Sequence, residues 1–147
     1  MEGSVFLVPL RNGQDAACVV TRHARAGATV GHFFPPSSSA QMVELAPGLV
    51  PSQAILVARF GDFPIVNDVW HFVGNLPGWQ RDQWPSTKFF RGDHKAGYTV
   101  VYDDRDPSEV IAEYKAGAED LALPKNDFYG DLALQTLLSE ILRDLNP

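Results

Sequence analysis

The chain has 147 residues, 45% of them hydrophobic and 20% charged, with a formal net charge of −6 when histidines are neutral. That length predicts one domain, able to bury about 70% of the surface its unfolded form exposes, so no staples are needed for a core. An acidic balance lacks the basic footprint of a nucleic-acid binder. A single cysteine, Cys18, excludes an internal disulfide, and no run approaches the ~20 apolar residues of a membrane helix. Met1-Glu2-Gly3-Ser4 carries no basic signal-peptide region, and the apolar run after it is short. The expectation is a cytosolic protein with no membrane or nucleic-acid partner.

In chain order, Ser4–Leu10 reads as a strand, and Arg11-Asn12-Gly13-Gln14 as a hairpin turn. Ala16–Thr21 is the return strand. Arg22–Ala28 is a second connection, and Thr29–Phe34 is a third strand stopped by Pro35-Pro36. Short turns between consecutive strands make an antiparallel meander. Ser37–Ser39 reads as a loop, and Met42–Leu45 is too short to assign. Ile55–Phe60 is an apolar run closed by Gly61-Asp62, and Val69–Val73 is another closed by Gly74-Asn75; both predict strands. Leu76-Pro77-Gly78 forces a turn. Trp70, Trp79 and Trp84, the only tryptophans, all fall in this stretch, which makes it the expected core.

Thr87–Arg91 and Tyr98–Tyr102 form a second predicted hairpin around the glycine-flanked loop Gly92–Gly97. Asp106-Pro107-Ser108-Glu109 has the makings of a helix start, with Asp as cap, Pro first and Glu third. Val110, Ile111 and Tyr114 would then share a face and Gly117 would end the helix. The same residues also fit an extended segment with Val110, Ala112 and Tyr114 on one side; the helix is the preferred reading. From Asp131, leucines and Ile141 recur at helical spacing, leaving Glu140, Arg143 and Asp144 on the wet side. The fold class predicted is α+β: mostly β, a curved antiparallel sheet with a C-terminal helix packed on it, closure into a barrel being left open. No βαβ alternation calls for a parallel sheet.

Chemistry is not written on these residues. Cys18 lies between apolar neighbours with no base beside it, the pattern of an inert buried thiol. His23, His32, His71 and His94 have no zinc-ligand spacing. Asp68 and His71, three apart on an apparent strand, would point to opposite faces. Gly92 and Gly97 precede no helix and read as hairpin punctuation rather than a phosphate cradle. Trp79 and Trp84 read as core in preference to exposed anchors. No catalytic residue, metal site or cofactor is expected.

The running order of Val5–Leu10 (VFLVPL), Ile55–Asp62 (ILVARFGD), Trp70–Pro77, Trp84–Arg91 (WPSTKFFR) and Tyr98–Tyr102 resembles the immunity protein 26 family. The resemblance spans most of the chain, from Val5 to the C-terminal helix, on structural motifs of apolar runs, Gly, Pro and Trp. It implies a mostly β domain that binds and neutralises a cognate bacterial toxin of a polymorphic toxin system, with no enzymatic residues to carry over. It leaves the oligomeric state open.

The charge is uneven. Between Asp103 and Asp120 there are seven acids and two bases. A concentrated acidic field would steer a basic partner, such as a nuclease toxin. Asp103, Asp104, Asp106, Glu109 and Glu113 are therefore the candidate partner-binding residues. The competing reading is a small-ligand-binding or enzymatic domain with a pocket near the tryptophan-rich stretch.

Overall fold

The computed structural model describes residues 1–36, 49–92 and 96–146. The expected loop at Ser37–Ser39, the Met42–Leu45 run and the tip of the Gly92–Gly97 loop, with His94, lie outside the described residues. The meander forms as predicted. Strands β1 (Ser4–Pro9), β2 (Asp15–His23) and β3 (Ala28–Phe34) pair antiparallel in sequence. The first turn places Gly13 at φ 82°, a conformation that suits glycine.

Strand β4 (Leu56–Gly61) joins β3, and β5 (His71–Asn75) joins the far side of β1. A two-residue strand, Phe128–Tyr129, completes a six-stranded sheet. Because Phe128–Tyr129 is β9 in chain order, the sheet runs β5-β1-β2-β3-β4-β9. The β4–β9 pair is parallel, a departure from the all-antiparallel expectation. A separate antiparallel sheet holds β6 (Lys88–Gly92), β7 (Gly97–Asp103) and β8 (Asp106–Lys115) in that order. Neither sheet closes into a barrel.

Layering follows from the sequence pattern. Val5–Val8 and Ala16–Thr21 are buried throughout, with no alternation. A strand buried at every position needs cover on both faces of its sheet. On one face Phe6, Val8, Cys18, Val20, Phe33 and Phe60 meet Trp70 and the C-terminal helix α2 (Asp131–Leu145), whose Leu134 and Leu138 are fully buried. Glu140, Arg143 and Asp144 are exposed as expected, but so are Leu132 and Leu145 at the helix ends. On the other face Val5, Leu7, Val19 and Phe34 meet Leu76 and Trp84, while Val30 meets Phe89, Val100 and Tyr102 of the second sheet. The result is three layers: helix, six-stranded sheet, then tryptophan segment and second sheet.

The tryptophans are core. Trp70 is 1% exposed and packs its ring 5.3 Å from Phe60 and edge-on to Phe33. Trp84 is buried edge-on against His32 and Phe34. Trp79, partly buried, packs against the same cluster.

Two expectations are corrected. The stretch from Asp106 to Lys115 is strand β8, not a helix. Its start does use Asp106 as a cap, but of an extended turn: the carboxylate accepts from the Ser108 backbone N–H at 3.0 Å. Six register pairs with β7, from Tyr98↔Lys115 to Asp103↔Asp106, override the local helix signal. The predicted strand Val69–Val73 begins only at His71. A one-turn helix, α1 (Phe63–Val66), and a left-handed Asp68 (φ 56°) come before it, so Asp68 and His71 do not share a strand.

Candidate partner-binding site

The structure gathers the five acidic candidates onto one hairpin and its outer strand. Asp103 closes the β7–β8 turn, accepting from the backbone N–H of Arg105 at 2.8 Å and of Asp106 at 3.1 Å. Asp104 stands at the tip and accepts from Arg22 Nε at 2.9 Å and from the Arg81 guanidinium. Partial burial pushes the Asp104 pKa up, but the hydrogen bonds from Arg22 and Arg81 outweigh it and hold the carboxyl below its usual range. Arg22 is only 5% exposed, so Asp104 compensates a nearly buried cation.

Asp106 is also held below the usual carboxylate range, here by the Ser108 hydroxyl and backbone N–H that it accepts from. Glu113 pairs with Arg91. Glu109 is exposed and, among the described residues, forms no ion pair. Several of these charges are therefore committed to internal contacts, which charge counting along the sequence misses. The cations that answer them come from β2, β6 and the Arg81 turn, distant in sequence.

Strand β8 is an edge. The free side of β6 is taken up by the chain at 124–126: Phe90 N–H donates to the Pro124 carbonyl, and Asn126 N–H to the Phe90 carbonyl. Strand β8 has no such neighbour among the described residues. From Ser108 to Lys115 every residue is exposed, Val110, Ile111 and Tyr114 included. A register shift at Val110–Ala112 bulges the strand, a common guard against edge-to-edge pairing.

Elsewhere the geometry offers less chemistry. His23 Nε2 lies 2.9 Å from Asp62 Oδ2, an arrangement seen in acid–base pairs. Ser108, on the rim of the depression beside Asp62, instead bonds Asp106. Cys18 is fully buried, and burial pushes its thiol pKa up, away from nucleophilic behaviour. Among the described residues no group of three His, Cys, Asp or Glu side chains is placed to hold a metal ion, and no helix is long and apolar enough to cross a membrane. Gly92 and Gly97 hold the Phe90 ring: a Cβ on either would come within 2.6 Å of it.

A cavity of about 730 Å³ opens between the tryptophan segment and the second sheet. His32 of β3 lines it beside Ser86, Val57 and Leu123. Sequence reading weighed His32 only as a zinc ligand and set it aside; the signal for its burial was a histidine embedded in the apolar run Thr29–Phe34.

Comparison with known proteins bears on what these surfaces serve. The family profile described as Immunity protein 26 matches residues 1–98, two thirds of the chain. No curated protein and no solved structure matches it.

Proposed function

The chain belongs to the immunity protein 26 family, and from that premise we propose that it captures a cognate toxin domain through the β7–β8 hairpin and the open edge of β8. The observation that carries this reading is the exposure of Val110, Ile111 and Tyr114 beside Glu109 on an edge strand with no outer neighbour among the described residues. Exposed apolar side chains on an unpaired edge invite association, and an interface is their usual use. Asp103, Asp104, Asp106, Glu109 and Glu113 supply a polar rim that would orient a basic toxin, a nuclease being the class that fits. The inhibitor acts in the cytoplasm of the producing cell and blocks by binding, without turnover.

The experiment is co-expression of the full chain with the C-terminal domain encoded by the adjacent open reading frame. Co-elution and rescue of growth are expected, with both weakened by Ile111→Asp at the strand edge. Binding unchanged by Ile111→Asp in a folded variant would place the interface elsewhere.

A further inference from the structure

We propose that the edge of β8 is self-complementary: two copies of this chain pair antiparallel through residues 112–116, about a twofold axis at Tyr114. The pairing stands apart from the toxin-capture reading. Where both hold, a toxin and a second copy compete for the same edge.

The hydrogen-bond ladder shows which backbone groups of β8 are left over. Ala116 N–H donates to the Gly97 carbonyl at 2.9 Å. Successive residues of a strand turn their N–H and C=O to opposite sides, so Tyr114 and Ala112 also face β7. The other side of β7 agrees. Tyr102 N–H donates to the Thr87 carbonyl at 2.9 Å, which turns Tyr102 and Val100 toward β6 and leaves Thr99 and Val101 facing β8. Thr99 and Val101 are the register partners of Tyr114 and Ala112. Glu113 and Lys115 therefore point their backbone groups outward, where no described residue meets them.

This open stretch is bounded. On one side Ile111 is the extra residue of the bulge, between the pairs Tyr102↔Val110 and Val101↔Ala112. On the other, Gly117 is the next outward residue and spends both groups on Asp120. Its N–H donates to Asp120 Oδ2 at 3.0 Å, and its carbonyl accepts from Asp120 N–H at 3.1 Å. Long edge-to-edge pairing is thereby blocked, and one short stretch stays open.

The side chains choose the occupant. The stretch reads Ala112-Glu113-Tyr114-Lys115-Ala116, and about Tyr114 it is its own complement. With the axis there, Glu113 stands opposite Lys115 of the second copy, twice over, in the pairs whose backbone groups face each other. Tyr114 meets its own copy, and Ala112 meets Ala116. Opposite charges directly across two strands stabilise the pair, and like charges destabilise it. An axis at Glu113 or at Lys115 sets like charges face to face. An axis at Ala112 or at Ala116 runs into the bulge or into Gly117. An axis between residues sets outward groups against inward ones. Only the Tyr114 register satisfies both backbone and charge. Glu113, Tyr114 and Lys115 are all exposed. Arg91 reaches Glu113 through Oε1, and a carboxylate accepts from more than one donor. Such a contact is isologous, so it closes as a dimer and builds no fibre. The net charge of −6 repels a copy, which makes the association concentration-dependent.

The test is the oligomeric state of the full chain, read by small-angle scattering across a concentration series up to millimolar. Wild type is expected to pass from monomer to dimer. Glu113→Lys and Lys115→Glu each set like charges across the axis, and each should weaken self-association at least roughly tenfold. Mixed in equal amounts, the two variants are complementary again, lysines facing glutamates, and should form a heterodimer as readily as wild type dimerises. A wild type that stays monomeric at millimolar concentration overturns the proposal. So do single variants that dimerise like wild type, or a mixture as monomeric as its parts. Should either variant fail to fold, cysteine cross-linking reads the register instead. Tyr114→Cys should oxidise to a disulfide dimer, because the paired Cα atoms would lie about 4.5 Å apart. Ala112→Cys, which faces Ala116 of the second copy, should not. Equal cross-linking of the two, or none, overturns the Tyr114 axis.

Discussion

The Arg59 guanidinium lies 3.9 Å from the centroid of the Tyr102 ring, and this contact ties the two sheets together. Arg59 belongs to β4 of the six-stranded sheet and Tyr102 to β7 of the smaller one. Arg59 Nε also donates to the Pro107 carbonyl at 3.0 Å, at the foot of β8. The second sheet is thus docked by a largely buried cation (9% exposed) as well as by the cluster of Val30, Phe89, Val100 and Tyr102.

Arg59→Met should destabilise the fold by about 2–4 kcal/mol, combining a desolvated cation–π contact with a buried carbonyl left unpaired. Arg59→Lys should recover little, because an ammonium cannot stack on Tyr102 and reach Pro107 in the same planar geometry. Denaturant unfolding of the three proteins checks this. A lysine variant as stable as wild type would show that charge alone suffices.

Trp70→Ala should cost ~3–5 kcal/mol, as for other buried aromatics. Trp70→Phe should cost far less than the alanine change. The Trp70 indole N–H is buried and has no hydrogen-bond partner among the described residues, so the phenyl ring gives up volume but removes an unsatisfied donor. Thermal melts of both variants separate the terms; equal losses would mean the indole itself is indispensable to packing.

His32 links stability to pH. Its folded pKa, about 4, lies below the ordinary 6.5, so the unfolded chain binds the proton more readily. The stabilisation this gives is complete above about pH 6.5 and is lost as pH falls from there toward 4. The full effect is on the order of 3 kcal/mol, at 1.36 kcal/mol for each unit between the two values. Comparing unfolding free energies of wild type and His32→Gln at pH 7 and pH 4.5 cancels the other histidines. Stability should fall more steeply in wild type; parallel pH profiles would mean His32 titrates normally in the fold.

How much of this was legible in the sequence depended on range. The β1–β3 meander announced itself through Asn12-Gly13 and through apolar runs without alternation, both local signals. Leu134 and Leu138 marked the helix face through spacing alone. Strand β8 was misread because Asp106-Pro107-Ser108-Glu109 caps a helix and an Asx turn with the same atoms; only the pairing of β8 with β7 decides, and pairing is nonlocal. The acidic run was visible, but Arg22, Arg81 and Arg91, which answer Asp104 and Glu113, were not. His32 emerged only when Trp84 and the second sheet closed over β3.

That neutralisation reshapes the charge test of the partner surface. Replacing all five acids at once would remove Asp104 from Arg22 and leave a buried guanidinium uncompensated, so lost binding could reflect lost fold. Asp103 and Asp106 likewise shape the turn that starts β8. Glu109 and Glu113 are the informative pair. Glu109→Lys reverses an exposed charge that makes no ion pair among the described residues. Glu113→Gln removes a carboxylate whose ion-pair partner among the described residues is the exposed Arg91, so little stability is at stake. With a basic toxin, the double variant should associate severalfold more slowly at low salt, because steering acts on the encounter rate. The difference should shrink toward 1 M salt, where the Debye length falls to ~3 Å. Dissociation should change less than association, since rim charges guide docking more than they hold the complex. Stopped-flow association across a salt series reads both rates. An on-rate equal to wild type at every salt, in a variant of unchanged melting temperature, would remove β8 from the interface.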